Sequence, residues 1–116
     1  MIQFRNGIII AEIANNFISR AIGLSFRKAI KGNEGLLFRF HGQTRPLFWN
    51  FGMMFPIDVI WIKDGEIVGL EENIPEMKKG IKIFASAEPV HMALELSAGS
   101  VKRLDIRVRD RITHIV

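Results

Sequence analysis

The stretch "IDVIWIKDGEIVGLEE", residues 57–72, constrains the fold more than any other part of the chain. Asp64-Gly65 between two apolar runs is a two-residue hairpin signal, because both positions tolerate positive φ. Strands are predicted over 57–63 and 66–72. In the first, Ile57, Val59 and Trp61 alternate with Asp58, Ile60 and Ile62. A strand apolar on both faces must be covered on both, so it lies inside the fold. Pro56 cannot donate to a ladder and suits the strand's first position. This strand carries one carboxyl group, that of Asp58, into the interior.

The remaining segments read mostly as short strands. "IQFRNGIIIAEIA" is a predicted hairpin turning at Asn6-Gly7. "NNFISRAIG" changes period: Phe17, Ile18, Ala21 and Ile22 share a helical face, Asn15 or Asn16 can cap it, and Gly23 can end it. That predicts a short helix near residues 16–23 with Arg20 at its outer edge. "LLFRF" is a predicted strand with Leu37 and Arg39 on one face and Leu36, Phe38 and Phe40 on the other, followed by a loop "HGQTRP". "NIPEMKKG" reads as a turn or loop. "VHMALELS" alternates, with Val90, Met92, Leu94 and Leu96 toward a core, and "AG" turns the chain. The tail "IRVRDRITHIV" sets Ile106, Val108 and Asp110 against Arg107, Arg109 and Arg111, the pattern of a strand with a basic outer face. The expected class is mainly β: a compact antiparallel β-sandwich or barrel with one short helix.

A length of 116 residues fits a single domain spanning 1–116. The absence of cysteine excludes a disulfide scaffold, a thiol nucleophile and a zinc–thiolate site, and it fits a reducing cytoplasm. No signal-peptide h-region is legible near the start, and no segment approaches the ~20 apolar residues of a membrane helix. The expectation is a soluble cytoplasmic protein without membrane insertion. The net charge of +4 attracts phosphate mildly but is also an ordinary solubility charge. His41, His91 and His114 lack metal-ligand spacing, and no phosphate loop or dinucleotide fingerprint is present, so neither metal nor cofactor is expected.

Four pieces of the chain resemble a known family in its own order. "SRAIGLSFR" is similar to Arg-x-x-Gly-Leu-Met-x-Arg, and "NEGLLFRF" to Glu-Gly-Met-Leu-Phe. "FWNFGMMFPIDVIWIKDGEIV" is similar to Trp-Met-x-x-Met/Thr-x-x-Pro-x-Asp followed by a hairpin, and "HMALELSAG" to Leu-Glu-x-x-Ala-Gly. The resemblance is to the uncharacterised "domain of unknown function 192" and covers about residues 8 to 113. It implies a small β-rich barrel or sandwich and no established activity; some relatives look exported. The chain departs from the family's pattern at Ser25 and Asn50, where Met is usual, and at Asp105 and Arg109, where Gly tends to stand. A fixed catalytic role for Ser25 or Asn50 is not implied, and the last turn is open to a different shape.

Asp58 has two readings. A buried carboxyl must be hydrogen-bonded or paired, so it either accepts N–H groups from the "WNFGMM" loop or pairs with Arg20. Alternatively it is a ligand-binding or general-base carboxylate at a pocket mouth. Trp49 and Met53 are core residues or a stacking wall with adaptable neighbours. Glu95 shares a strand face with His91, Ala93 and Ser97; four residues apart in a strand is ~13 Å, so His91 and Glu95 form no dyad. Glu95 is instead expected on an arginine. His41 is the proton carrier nearest the proposed mouth. Ser25 lacks the strand–turn–helix context of a nucleophile elbow. "GSVKR" offers backbone N–H groups with Lys102 and Arg103 as a weak anion site, and Arg107, Arg109 and Arg111 form a basic stripe without interleaved aromatics.

Three functions follow in order of preference. The first is a non-enzymatic binding domain for a small ligand or a partner's peptide, with a groove near Trp49 and Asp58 flanked by Arg20, Glu34 and Glu95. The second is a small hydrolase or lyase using Asp58 or His41 as base. The third is an adaptor for nucleic acid or another anionic partner through Arg107–Arg111, with nucleic acid disfavoured.

Overall fold

The computed structural model describes residues 1–14 and 27–114. The helix predicted at 16–23, with Arg20, and Ser25 lie outside these. In chain order the strands are β1 (Ile2–Phe4), β2 (Gly7–Ala14), β3 (Glu34–Thr44), β4 (Phe48–Trp49), β5 (Ile57–Lys63), β6 (Glu66–Ile74), β7 (Ile83–Phe84), β8 (Val90–Ser97) and β9 (Thr113–His114). A 3-10 turn spans Met77–Lys79, and a one-turn helix, α1, spans Ser100–Arg103. Seven strands form one sheet in the order β6-β5-β8-β3-β2-β1-β9; β4 and β7 form a separate two-stranded ribbon. The fold is mainly β, and the sheet curls into a half-barrel. Residues 109–114 bridge its two edges. Ile67 of β6 donates to Asp110 O at 2.8 Å and accepts from Arg109 N–H at 2.7 Å, while β9 pairs with β1.

The Asp64-Gly65 hairpin forms as predicted. Lys63 pairs with Glu66, and the two turn residues take φ of 52° and 75°. β5 sits between β6 and β8, and every residue from Ile57 to Ile62 is buried. Its alternation divides the core. Ile60 and Ile62 join Ile9, Leu37, Leu94 and Val101 on one face of the sheet. Ile57, Val59 and Trp61 join Leu36, Phe38, Ala93 and Phe84 on the other. α1 plugs the first face, and the β4–β7 ribbon covers the second.

Several expectations change. β3 runs parallel to β2, so the main sheet is mixed rather than antiparallel. The first hairpin exists, but its turn is Arg5-Asn6, because Phe4 pairs with Gly7. The glycine serves packing there: a Cβ on Gly7 would lie 2.7 Å from Leu104 Cδ2. Gly35 is placed by the same logic between three strands, with Leu96 Cδ2 at 2.8 Å and Glu95 O at 3.0 Å from a would-be Cβ. His41–Thr44 extend β3 instead of forming a loop, across a register irregularity between Arg39 and Thr44.

The tail departs most. Among its described residues only Thr113–His114 is strand. Asp105 and Arg109 adopt φ of 51° and 81°, left-handed values that an extended strand cannot contain. Arg107 N–H donates to Asp110 Oδ2 at 3.0 Å, and Asp110 N–H donates back to Arg107 O at 3.1 Å, so a turn replaces the ladder. These two left-handed positions are the ones where the resembled family tends to carry glycine, the residue that adopts such φ most easily.

Candidate functional site

Asp58 lies on the α1 face of β5 and is completely buried. Its Oδ1 accepts the Asn73 N–H at 2.9 Å, and its Oδ2 accepts the N–H groups of Gly99 and Val101 at 3.1 and 3.0 Å. Gly99, at φ 92°, is the N-cap residue of α1 and offers no side-chain cap. Asp58 supplies that cap from a neighbouring strand, satisfying amides that would otherwise be orphaned at the helix start. Two features singled out separately in the sequence therefore consume each other: the anion held by the "GSVKR" backbone is the protein's own Asp58. The expected donors from the "WNFGMM" loop are replaced by Asn73, Gly99 and Val101. Three backbone donors and complete burial enclose the Asp58 carboxyl.

The other predicted residues scatter. Met53 is buried under the ribbon. Glu34, half-buried at the start of β3, accepts the Lys31 N–H at 3.1 Å and shapes the turn before the strand. Glu95 is buried in β8 between Leu36 of β3 and Val59 of β5. His41 is exposed at the β3 irregularity. Trp49 and Asp58 do not share a groove. Trp49 belongs to the ribbon over the Trp61 face, whereas Asp58 points with Ile60 and Ile62 to the opposite side of the sheet.

What gathers around Trp49 is an apolar surface. In the ribbon, Phe48 pairs with Phe84 and Trp49 with Ile83. Phe48 points inward, its ring centroid 5.0 Å from Phe38 and 5.4 Å from Trp61. Alternation then turns Trp49 and Ile83 outward, 56% and 60% exposed. Phe51 stacks on Trp49 at 4.9 Å with 21° between ring planes. Leu47, Met54 and Ile81, close to these along the chain, are exposed as well. Trp49, Phe51 and Ile83 are joined by strand pairing and ring stacking, which scattered exposed apolar residues are not.

Asn50 holds this surface in place. Fully buried, its Nδ2 donates to Pro75 O and Gly80 O, both at 2.8 Å, and its Oδ1 accepts the Lys82 N–H at 2.8 Å. Gly52 N–H meets Met77 Sδ at 3.3 Å, tying the 3-10 turn to the loop after Phe51. Sequence reasoning noted Asn50 only as a departure from the family's pattern and passed over Ile81 and Ile83. The available signal was "LFWNF" and "IKIF": two short segments largely apolar on both alternating faces, of which a surface ribbon can bury only one.

The basic candidates are dispersed and largely engaged. Arg103 donates to Gly32 O and fastens α1 to the turn before β3, while Lys102 is exposed. Arg107 grips Asp105 with Nε to Oδ1 at 3.1 Å and Nη2 to Oδ2 at 3.0 Å. Arg109 meets Glu66 at 3.3 Å, and Arg111 donates to Asp64 O at 3.1 Å. The stripe expected from a strand is thus absent, because the turn aims each guanidinium at a different acceptor. The Arg107 hydrogen bonds hold the Asp105 carboxyl below its ordinary value of 3.8; desolvation opposes them, and the charges of Arg107 and Arg5 add to the lowering. A carboxyl lowered in the folded state stabilises the fold above its unfolded value and loses that contribution as pH falls through the folded one. A carbon-detected NMR titration should therefore place the Asp105 midpoint below 3.8, with Arg107→Ala and added salt both raising it.

Among the described residues no group of three or more His, Asp or Glu is arranged to hold a metal ion. No described helix is long and apolar enough to cross a membrane.

No curated protein matches the chain. Two solved structures are similar. One is a protein of Sinorhizobium meliloti described as a candidate transcription regulator, 34% identical, with TM-score 0.83, over 89% of this chain and 79% of that one. The other is a protein of unknown function from Novosphingobium aromaticivorans, 25% identical, with TM-score 0.84, over 90% of this chain and 74% of that one. The family described as "Uncharacterized ACR", DUF192, matches residues 2–114, and the chain belongs to it.

Proposed function

We propose that the protein is a non-enzymatic binding module, and that its contact face is the outer surface of the β4–β7 ribbon and the loop after it. The observation that carries this reading is the exposed Trp49–Phe51 stack flanked by Ile83, Leu47 and Met54. Rigid aromatics surrounded by adaptable methionine are the usual energetic centre of a contact surface. The face does not include Asp58, so the binding reading detaches from the groove first expected between the two residues. The hydrolase or lyase reading loses Asp58 to three backbone donors and keeps only the exposed His41. The adaptor reading must work through guanidiniums already held by Asp105, Glu66 and Asp64 O; the description of the Sinorhizobium protein concerns that protein.

The test is amide and indole chemical-shift mapping against a library of small apolar fragments and short peptides. Shifts should concentrate at residues 47–54 and 77–83 and vanish in Trp49→Ser, which removes an exposed side chain and leaves the fold intact. Shifts spread over other surfaces, or none at all, would overturn the proposal.

A further inference from the structure

Independently of the ribbon reading, we propose that an extended segment of a partner protein adds as a strand along residues 68–72 of β6, its arginines or lysines set against Glu71 and Glu72. β6 ends the main sheet, so one side of it faces no strand of that sheet. The chain's own tail already uses the start of that side. Ile67 donates to Asp110 O and accepts from Arg109 N–H, Glu66 bridges to Arg111, and Arg109 Nη1 reaches Glu66 Oε2 at 3.3 Å. Backbone pairing and an arginine on a glutamate thus come together on this edge. Beyond Ile67 the tail leaves, because Asp110 closes a turn on Arg107. Among the described residues, 68–72 have no backbone partner on the outer side. Unpaired N–H and C=O groups on a sheet edge are the template for an added strand.

The residues on the edge state what the segment carries. Glu71 stands opposite Val59 in the ladder, and Glu72 follows it in the strand, so the register places both on the edge itself. Neither carboxylate has an ion pair among the described residues, whereas Glu66 is held by Arg109. Facing residues of paired strands have Cβ atoms about 4.5–5.5 Å apart, so a strand laid here meets both carboxylates, one on each face. Val68 and Leu70 pack against opposite core clusters yet stay half-buried, and they leave apolar surface for an alternating partner. Carboxylates on an edge repel strands at random and admit one that answers with cations. A second copy pairing edge to edge would supply only the same carboxylates again, since residues 68–72 hold no Lys or Arg.

The experiment uses the full chain and three synthetic peptides of about nine residues, the length of a strand. One alternates valine with arginine, and one alternates valine with glutamate. The third is the arginine peptide N-methylated throughout, which keeps its charge and has no N–H for a ladder. Shifts and hydrogen exchange of the amides within 68–72 report the site. The arginine peptide should slow exchange there and bind about five- to tenfold more tightly than the glutamate peptide. The N-methylated peptide should lose that binding, and Glu71→Lys with Glu72→Lys should reverse the preference between the first two. Equal binding of the arginine and glutamate peptides at the edge would overturn the basic partner. An N-methylated peptide as tight as its parent would overturn strand addition. Protection that rises with protein concentration and needs no peptide would replace the partner with a second copy. No change at 68–72 with any peptide would overturn the proposal and leave the ribbon reading, which is measured at 47–54 and 77–83 with apolar probes, standing.

Discussion

Asp58→Ala should destabilise the fold by about 3–5 kcal/mol, because each buried N–H left without an acceptor costs ~1–3 kcal/mol and three depend on this side chain. The loss is global. Asn73, Gly99 and Val101 belong to the end of β6 and the start of α1, and Asp58 in β5 joins them. Domains of this kind are stable by only about 5–15 kcal/mol, so the variant should stand at the edge of folding. Asp58→Asn provides the graded companion: it keeps the shape and one acceptor oxygen, and should lose roughly half as much. Urea unfolding of both variants checks this. An Asp58→Ala midpoint matching the parent would contradict the role as an internal cap.

Asn50→Ala should cost about 2–3 kcal/mol, and most of the loss should be local. Asn50 holds Pro75 O, Gly80 O and the Lys82 N–H together, three backbone groups in the segment that carries Ile81 and Ile83. The Lys82 amide, whose acceptor is Asn50 Oδ1, should exchange roughly 30- to 100-fold faster, while amides of β5 and β8 keep most of their protection. Binding at the ribbon face should weaken in parallel, since the outer residues lose their fixed positions. Unchanged protection at Lys82 would mean that the ribbon is held by its apolar underside alone.

The parts legible in the sequence are those fixed by neighbours along the chain. The turn at Asp64-Gly65, the burial of β5 on both faces and the face on which Asp58 lies follow from residue type and a period of two. What Asp58 touches was not legible, because its donors are 15, 41 and 43 residues away. The parallel pairing of β2 with β3 is likewise non-local. The tail misled for a different reason. Its alternation of Arg with Ile and Val is genuine, but Asp110 three residues after Arg107 offers the backbone a turn, and Asp105 and Arg109 take left-handed φ to make it. The ribbon escaped notice because each of its strands is two residues long, too short for a period to declare itself.

Two places that the sequence had joined lie apart in the fold: an enclosed carboxyl that caps α1, and an exposed aromatic face on the other side of the sheet. One shift-mapping titration with the apolar fragments and short peptides reads both at once. Amides of residues 47–54 and 77–83 and the Trp49 indole should move, while the amides of Asn73, Gly99 and Val101 stay where they are. Movement of those three amides with a silent ribbon would contradict this separation and return Asp58 to the site.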